Sequence, residues 1–240
     1  KLIIVTGSCG FIGFSIFIKL LKKNYSVIGI DNLNDYYSKE YKKIRLKKLK
    51  KYKNFSFQKI DLANRSRIFK FFDKRKVEAI FHFAAQAGVR YSQNFPETYI
   101  NSNIFGFLNI LDASVKYKVK NIYYASSSSI YGDQKKYPVK ENFKPSPKNI
   151  YAKSKYLNEL TADFYSKRFN LNLVGLRLFT VYGKWGRPDM FMLKYLNSKK
   201  KFNLFNNGNH YRDFTYIEDV NKIIYKLIKK KLKGFNIFNI

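Results

Sequence analysis

Residues 2–13 read Leu2-Ile-Ile-Val-Thr-Gly7-Ser-Cys-Gly10-Phe-Ile-Gly13, a short apolar run that ends in three evenly spaced glycines. An amphipathic segment follows to about Lys23. Strand, glycine turn and helix form the context that gives such a pattern meaning. Without side chains, the backbone can approach a pyrophosphate. The helix N-terminus adds unpaired N–H donors and the positive end of its dipole. Gly7, Gly10, Phe11, Ile12 and Gly13 are therefore candidate contacts to a dinucleotide. The competing reading is a tight turn that needs positive φ.

Outward from this stretch the same rhythm repeats. Residues 26–30 form a second strand pattern that stops at Asp31, and 55–60 and 77–83 form a third and a fourth, with a charged helix pattern at 64–75 between them. A helix around 98–117 leads into a strand at 121–126, and a helix over about 151–169 precedes one at 173–179. Apolar, β-branched strands alternating with helices predict an α/β fold, a Rossmann-like doubly wound parallel sheet with helices on both faces. After Phe179 the rhythm changes to a Gly/Pro-containing loop at 180–189, a helix near 190–199 and an Asn/Gly-rich turn at 206–209. A strand at 213–216, a helix at 217–231 and a strand at 235–239 follow. The division expected is a cofactor-binding domain over 1–179 and a smaller, truncated C-terminal substrate-binding region over 180–240, with elements that return to the sheet. The chain starts inside one strand pattern and stops on another, so further sequence is expected at both ends.

Asp31 closes the second strand. A carboxylate there can accept both hydroxyls of an adenosine ribose and would repel a 2′-phosphate. Asn32 and Leu33 follow with no arginine, so the cofactor expected is NAD rather than NADP. Asp61 and Leu62, just past the third strand, are placed to meet the adenine; for Asp61 a helix N-cap is the competing reading. Ala84 and Ala85 end the fourth strand and are small enough for a flat cofactor to lie against the backbone, or for close helix packing. Asn103, inside a helix, needs its amide satisfied if buried, either by the cofactor or by bracing backbone.

Tyr151-Ala-Lys-Ser-Lys155 sets a tyrosine and a lysine one turn apart on one helix face. There the ammonium can stabilise a tyrosinate and let the tyrosine work as a base. The spacing recurs at Tyr131/Lys135, Tyr195/Lys199 and Tyr225/Lys229. Context selects the 151 pair, which opens a helix after a Pro-containing loop in a chain that begins with a nucleotide-type glycine turn. Upstream, Ser126–Ser129 at the end of the fifth strand supplies hydroxyls, with backbone capping as the alternative duty of Ser126 and Ser129.

Composition bounds the partners. The formal net charge of +31 invites a nucleic-acid or membrane-surface reading. Only nine of the basic residues are arginine, however, and Asn, Ile, Phe and Tyr are inflated alongside lysine. An A/T-rich coding sequence produces that joint excess without any polyanionic partner, so no specific nucleic acid is expected. The single cysteine, Cys9, precludes an intrachain disulfide and suits a reducing compartment. Two histidines and one cysteine show no metal-ligand spacing. No apolar run approaches the roughly 18 residues a membrane span needs.

The glycine turn, the serine run before Tyr131-Gly132 and Tyr151-x-x-x-Lys155 together resemble the extended short-chain dehydrogenase/reductases of the NAD-dependent epimerase/dehydratase type. Four longer strings are similar to the UDP-glucuronate 4-epimerases: Asp31-Asn-Leu-Asn-Asp-Tyr-Tyr37, Ala84-Ala-Gln-Ala-Gly-Val-Arg-Tyr-Ser92, Phe179-Thr-Val-Tyr-Gly183 and Trp185-Gly-Arg-Pro-Asp-Met190. The resemblance covers the whole chain. It implies that Tyr151, helped by Lys155, removes the proton from a sugar 4-hydroxyl while hydride leaves C4 for NAD. The 4-keto sugar then turns over, and the hydride returns to its other face. Ser127 would bond the 4-oxygen, with Ser128 beside it and Ser126 on the cofactor side. Thr180 and Arg187 would hold the uronate carboxylate, Arg212 the pyrophosphate, and Arg90 would approach the substrate.

Acidic residues at the positions of Ser128 and Ser129, which the related 4,6-dehydratases and decarboxylases use, are missing here, and a hydroxyl cannot replace a carboxylate in that proton transfer. A 4-epimerase of neutral UDP-glucose or UDP-N-acetylhexosamine shares all the cofactor machinery and remains the rival. A basic nucleic-acid-binding protein is the alternative from another class, and a fragment that binds NAD without turnover is a further one. By the same resemblance a homodimer is expected, paired through the helices near 98–117 and 151–169, and the reducing compartment that Cys9 suits makes the expected location cytoplasmic.

Overall fold

The computed structural model describes residues 1–198, 205–209 and 211–240. In chain order the first half runs β1 (Leu2–Thr6), α1 (Phe11–Lys22), β2 (Ser26–Asp31), α2 (Lys39–Leu49), β3 (Phe55–Lys59), α3 (Arg65–Phe72) and β4 (Val77–His82). Two single-turn helices, α4 (Tyr91–Asn94) and α5 (Pro96–Tyr99), lead through a π-helical stretch at Ile100–Phe105 into α6 (Gly106–Lys116). The second half runs β5 (Asn121–Ser127), a 3₁₀ turn (Ser128–Tyr131), α7 (Ile150–Phe169), β6 (Asn172–Leu178), β7 (Thr180–Tyr182) and α8 (Phe191–Asn197). A 3₁₀ turn (Phe205–Gly208), β8 (Phe214–Tyr216), α9 (Ile217–Lys230) and β9 (Phe235–Asn239) complete it.

Seven strands form one sheet in the order β3-β2-β1-β4-β5-β6-β9, every neighbouring pair parallel. Chain direction across the sheet reverses between β1 and β4, which opens a crevice at their C-terminal ends. Successive strand residues point to opposite faces. Ile3 and Val5 of β1 accordingly join Phe14, Phe17, Val220 and Ile224 on one side, while Ile4 joins Ile68, Phe71, Phe107 and Ile110 on the other. Each such side chain contributes about 1.5–3 kcal/mol when fully buried. These two cores clamp the sheet and hold the crevice rim in place.

Local chemistry sets the ends that matter. Asn149 caps α7 by accepting from the Ala152 N–H at 2.9 Å, which sets Tyr151 in the first turn of the helix. Asn170 stops it in the left-handed conformation at φ 52°. Two features after Phe179 differ from the sequence expectation. Thr180–Tyr182 is a strand, not loop, because it pairs in parallel with Phe214–Tyr216, a partner no local pattern discloses. The helix expected near 190–199 is Phe191–Asn197, and Lys199 lies outside the described residues. β9 returns to the main sheet beside β6.

Candidate active site

The crevice is a cleft of about 390 Å³ whose walls carry Gly7, Gly10, Phe11, Ile12 and Gly13 at one end and Ser126, Ser127, Ser128, Tyr151, Lys155, Thr180 and Arg187 at the other. Asp31, Asn32, Asp61, Leu62, Ala84 and Ala85 line it between them.

The glycine end is built for close approach. A Cβ on Gly13 would sit 2.2 Å from the Gly7 carbonyl oxygen, and one on Gly7, at φ +67°, would sit 2.6 Å from the Ala84 nitrogen. Gly10 is the N-cap of α1, which has no side-chain cap and no acid in its first turn. Its first N–H groups therefore face the cleft with their dipole uncompensated. The Asp31 carboxylate is buried and accepts from the Cys9 N–H at 2.9 Å and the Leu33 N–H at 2.8 Å. One acceptor site per oxygen is then left for a diol. These residues fit a dinucleotide with an unphosphorylated ribose.

Asp61 accepts from the Ala63 N–H and the Asn32 side chain at the rim. The cap of α3 is Asn64, which accepts from the Arg67 N–H at 3.0 Å, so the N-cap alternative for Asp61 falls away. Asn103 is fully buried and does not line the cleft. Its carbonyl takes the Gln86 N–H at 2.7 Å and its amide reaches Gln86 O and the Ser154 hydroxyl. Of the two duties open to it, the structure shows backbone bracing, within a π-helical stretch of the kind that often marks functional regions.

At the other end, Lys155 is 2% exposed and its Nζ donates to the Ala125 carbonyl at 2.9 Å. Burial pulls its pKa down to about 8, so at neutral pH it is still a cation, held in the cleft wall one turn from Tyr151. The Ser127 hydroxyl accepts from the Ser129 N–H at 3.1 Å and keeps its own proton to donate. Capping therefore falls to Ser127, while Ser126 donates to the buried Glu159 carboxylate. That carboxylate also holds Arg177 through Nε at 3.0 Å and Nη2 at 2.8 Å, and Arg177 Nη1 donates to Tyr131 Oη at 2.7 Å. The serine run thus rests on a buried, fully paired ion pair, which sequence reasoning missed. Glu159 does continue the Tyr151, Lys155 helix face, the signal that could have found it.

Tyr151 stands in this wall with its ring 6.2 Å from that of Tyr99. Its three look-alike pairs do not line the cleft among the described residues. Thr180 lines it at the head of β7, its N–H bonded to Asp213 O. Arg187 lines it too, with its guanidinium paired to Asp189. Arg212 and Arg90 are the two expected substrate contacts that the described cleft walls do not include. Both are exposed and neither lines the cleft, and Arg212 Nη1 donates to the neighbouring Tyr211 carbonyl.

A buried lysine, a tyrosine and hydroxyl donors that line one cleft can move a proton at a sugar hydroxyl, beside a cradle shaped for a nicotinamide dinucleotide. Fold and site define a short-chain dehydrogenase/reductase. The chain belongs to the NAD dependent epimerase/dehydratase family, whose model matches residues 3–240, and its cofactor is NAD. It is 46% identical to Protein CapI of Staphylococcus aureus over 233 residues, 95% of this chain and 69% of that one. With UDP-glucuronate 4-epimerase of Thermodesulfobacterium geofontis it shares 41% over 221 residues, 90% of this chain and 68% of that one. It superposes with a TM-score of 0.92 and 32% identity on the crystal structure of UDP-glucuronic acid 4-epimerase from Bacillus cereus in complex with UDP-glucuronic acid and NAD, covering all of this chain and 77% of that one. No helix among the described residues is long and apolar enough to cross a membrane.

Proposed function

We propose that the protein is an NAD-dependent sugar-nucleotide epimerase that inverts C4 of a UDP-sugar, with UDP-glucuronate as its substrate and UDP-galacturonate as product. The observation that carries the substrate assignment is Arg187, a guanidinium in the wall of the cleft that also holds Tyr151, Lys155 and the serine run. NAD in the glycine cradle supplies the hydride acceptor and donor for C4. The Tyr151 oxygen takes the proton of the 4-hydroxyl and gives it back after the sugar has turned. The Lys155 ammonium, fixed by Ala125 O, favours the tyrosinate that this requires. Ser127 donates to the 4-oxygen as charge changes there, and Ser128 offers a second hydroxyl.

Thr180 and Arg187 bind the carboxylate, and holding it still has a chemical purpose. A 4-keto uronate is a β-keto acid, and it loses carbon dioxide once its carboxylate rotates freely. A second reading, epimerisation of neutral UDP-hexoses, rests on one observation: Arg187 is already paired with Asp189. The partner proposed for the protein is a second copy, against an exposed apolar stripe on α7.

The test is product identity. NAD-loaded protein incubated with UDP-glucuronate should yield UDP-galacturonate by NMR. Arg187→Ala should cost about 2–5 kcal/mol of transition-state binding for UDP-glucuronate, since a desolvated charge loses its partner, and far less for UDP-glucose. Part of the residual flux should emerge as a decarboxylated pentose. A variant that treats both sugars alike and releases no carbon dioxide sinks the uronate reading in favour of the neutral one.

A further inference from the structure

Arg187 does not stand alone. Its Nε donates to Asp189 Oδ1 at 3.0 Å and its Nη2 to Asp189 Oδ2, so one edge of the fork is fully taken. Tyr36 lies over that pair: its hydroxyl donates to Asp189 Oδ2 at 3.0 Å, and its ring centroid is 5.6 Å from the guanidinium carbon. Tyr36 follows β2, in the loop that starts from Asp31, whereas Arg187 and Asp189 follow β7. Gly88, at φ +103°, makes room for Tyr36, since a Cβ there would come within 2.2 Å of its hydroxyl oxygen.

The backbone under this cluster is also held. Arg45 of α2, fully buried, donates to the carbonyls of Trp185 and Gly186, immediately before Arg187, and to Tyr37 Oη and Cys9 O. The two loops are therefore stitched together twice, through Arg45 below and through Tyr36 and Asp189 above. Arg187 Nη1, by contrast, has no partner among the described residues, and it is not among the polar atoms sealed from solvent. Since Arg187 lines the cleft, the open end of its fork is the end available to a ligand.

We infer that Tyr36 and Asp189 are specificity-determining positioning residues, which hold one edge of Arg187 so that its open end is presented to the carboxylate of a uronate substrate. This rests on the reading of Arg187 given above. A carboxylate beside the arginine thus guides it and does not block it. One guanidinium has two edges that can each take a carboxylate in parallel hydrogen bonds, and here the protein fills the first. Burial drives the Tyr36 pKa up to about 12. Burial is the largest single influence on the Asp189 carboxylate and pushes it up, but the bond and charge of Arg187 and the bond from Tyr36 together outweigh it and hold Asp189 below its usual range. Both groups therefore keep their donor and acceptor roles through neutral pH.

The experiment compares Tyr36→Phe and Asp189→Asn with wild type in the full, NAD-loaded protein, using UDP-glucuronate as substrate and calorimetry with UDP alone to report the nucleotide grip. Loss of a hydrogen bond to a charged group should raise KM for UDP-glucuronate about tenfold and increase the decarboxylated fraction of product. UDP affinity should stay within twofold of wild type. Unchanged KM and product partition overturn the inference, and so does a lowered KM, which would make Asp189 a competitor of the substrate. A loss of UDP affinity in step with KM also overturns it, as general damage. If Asp189→Asn does not fold, Tyr36→Phe, which keeps the ring, decides alone. Arg187→Ala measured alongside separates two failures: if it is crippled while the other variants are silent, the brace is wrong; if it too is silent, the uronate reading is wrong.

Discussion

Tyr151 and Lys155 divide the proton chemistry between them, and each can be tested by itself. Tyr151→Phe removes only the proton acceptor, so turnover should fall by about 10²–10⁴-fold while calorimetric NAD binding barely moves. Activity above about a hundredth of wild type would contradict a base at that position. Lys155 should show its burial in two pH profiles of opposite slope. Turnover depends on the ammonium, so it should decline as pH rises through about 8. Stability should run the other way. Below about 8 the folded protein carries a buried cation; between there and the ordinary 10.5 the unfolded chain keeps a proton that the folded one has released, so stability rises with pH. Lys155→Met should therefore be more stable than wild type by about 2 kcal/mol at pH 7, after allowing for the lost bond to Ala125 O, with the gap closing toward pH 10. Denaturant titration of cofactor-free protein reads this directly, and a destabilised Lys155→Met would refute it.

α7 is the element on which most of the site depends. One face carries Tyr151, Lys155 and Glu159, at intervals of four, into the cleft wall and the buried ion pair. Another face carries Leu157, Leu160 and Phe164, which are 41%, 52% and 60% exposed. Beyond α5, Ile100 and Phe105 are also exposed, and the π-helical stretch that contains them packs against α7. Large apolar side chains left in solvent on a well-packed element mark a contact surface. The proposed occupant is a second copy, so Leu160→Glu combined with Phe164→Glu should convert a dimer to a monomer in sedimentation at micromolar concentration. A protein already monomeric as wild type would remove the proposal.

Across the whole molecule, the net charge of +31 is its most conspicuous property. The cleft is not where that charge gathers: its dinucleotide end presents Asp31 and Asp61, and among the described residues its cations are Lys42, Lys155 and Arg187. Lys42 of α2 is turned onto the Asn34 carbonyl at 2.8 Å, a bond that ties the helix to the loop after β2. Diffuse lysine should bind duplex DNA weakly, with a steep salt dependence and no sequence preference. Tight, sequence-selective binding at physiological salt, measured by fluorescence anisotropy, would overturn the compositional reading of this charge.

The sequence by itself determined the alternation of strands and helices, the glycine cradle, the acid at the end of β2 and the Tyr151–Lys155 pair. All of these are written in short-range rules: a period of two or 3.6 residues, a turn that only glycine can make, and two side chains one helical turn apart. Only the tertiary structure decided which hydroxyl of the serine run is spent on the backbone and that Asn103 braces Gln86. It alone joined Glu159 to Arg177, Tyr36 to Asp189, and Arg45 to the carbonyls before Arg187. Those pairs are long-range. In a chain with 47 basic and 16 acidic residues, no spacing tells which cation will meet which carboxylate. The sheet brings the loops together, and burial then makes an unpaired charge too costly to keep, so partner choice belongs to the packed fold and not to the local pattern.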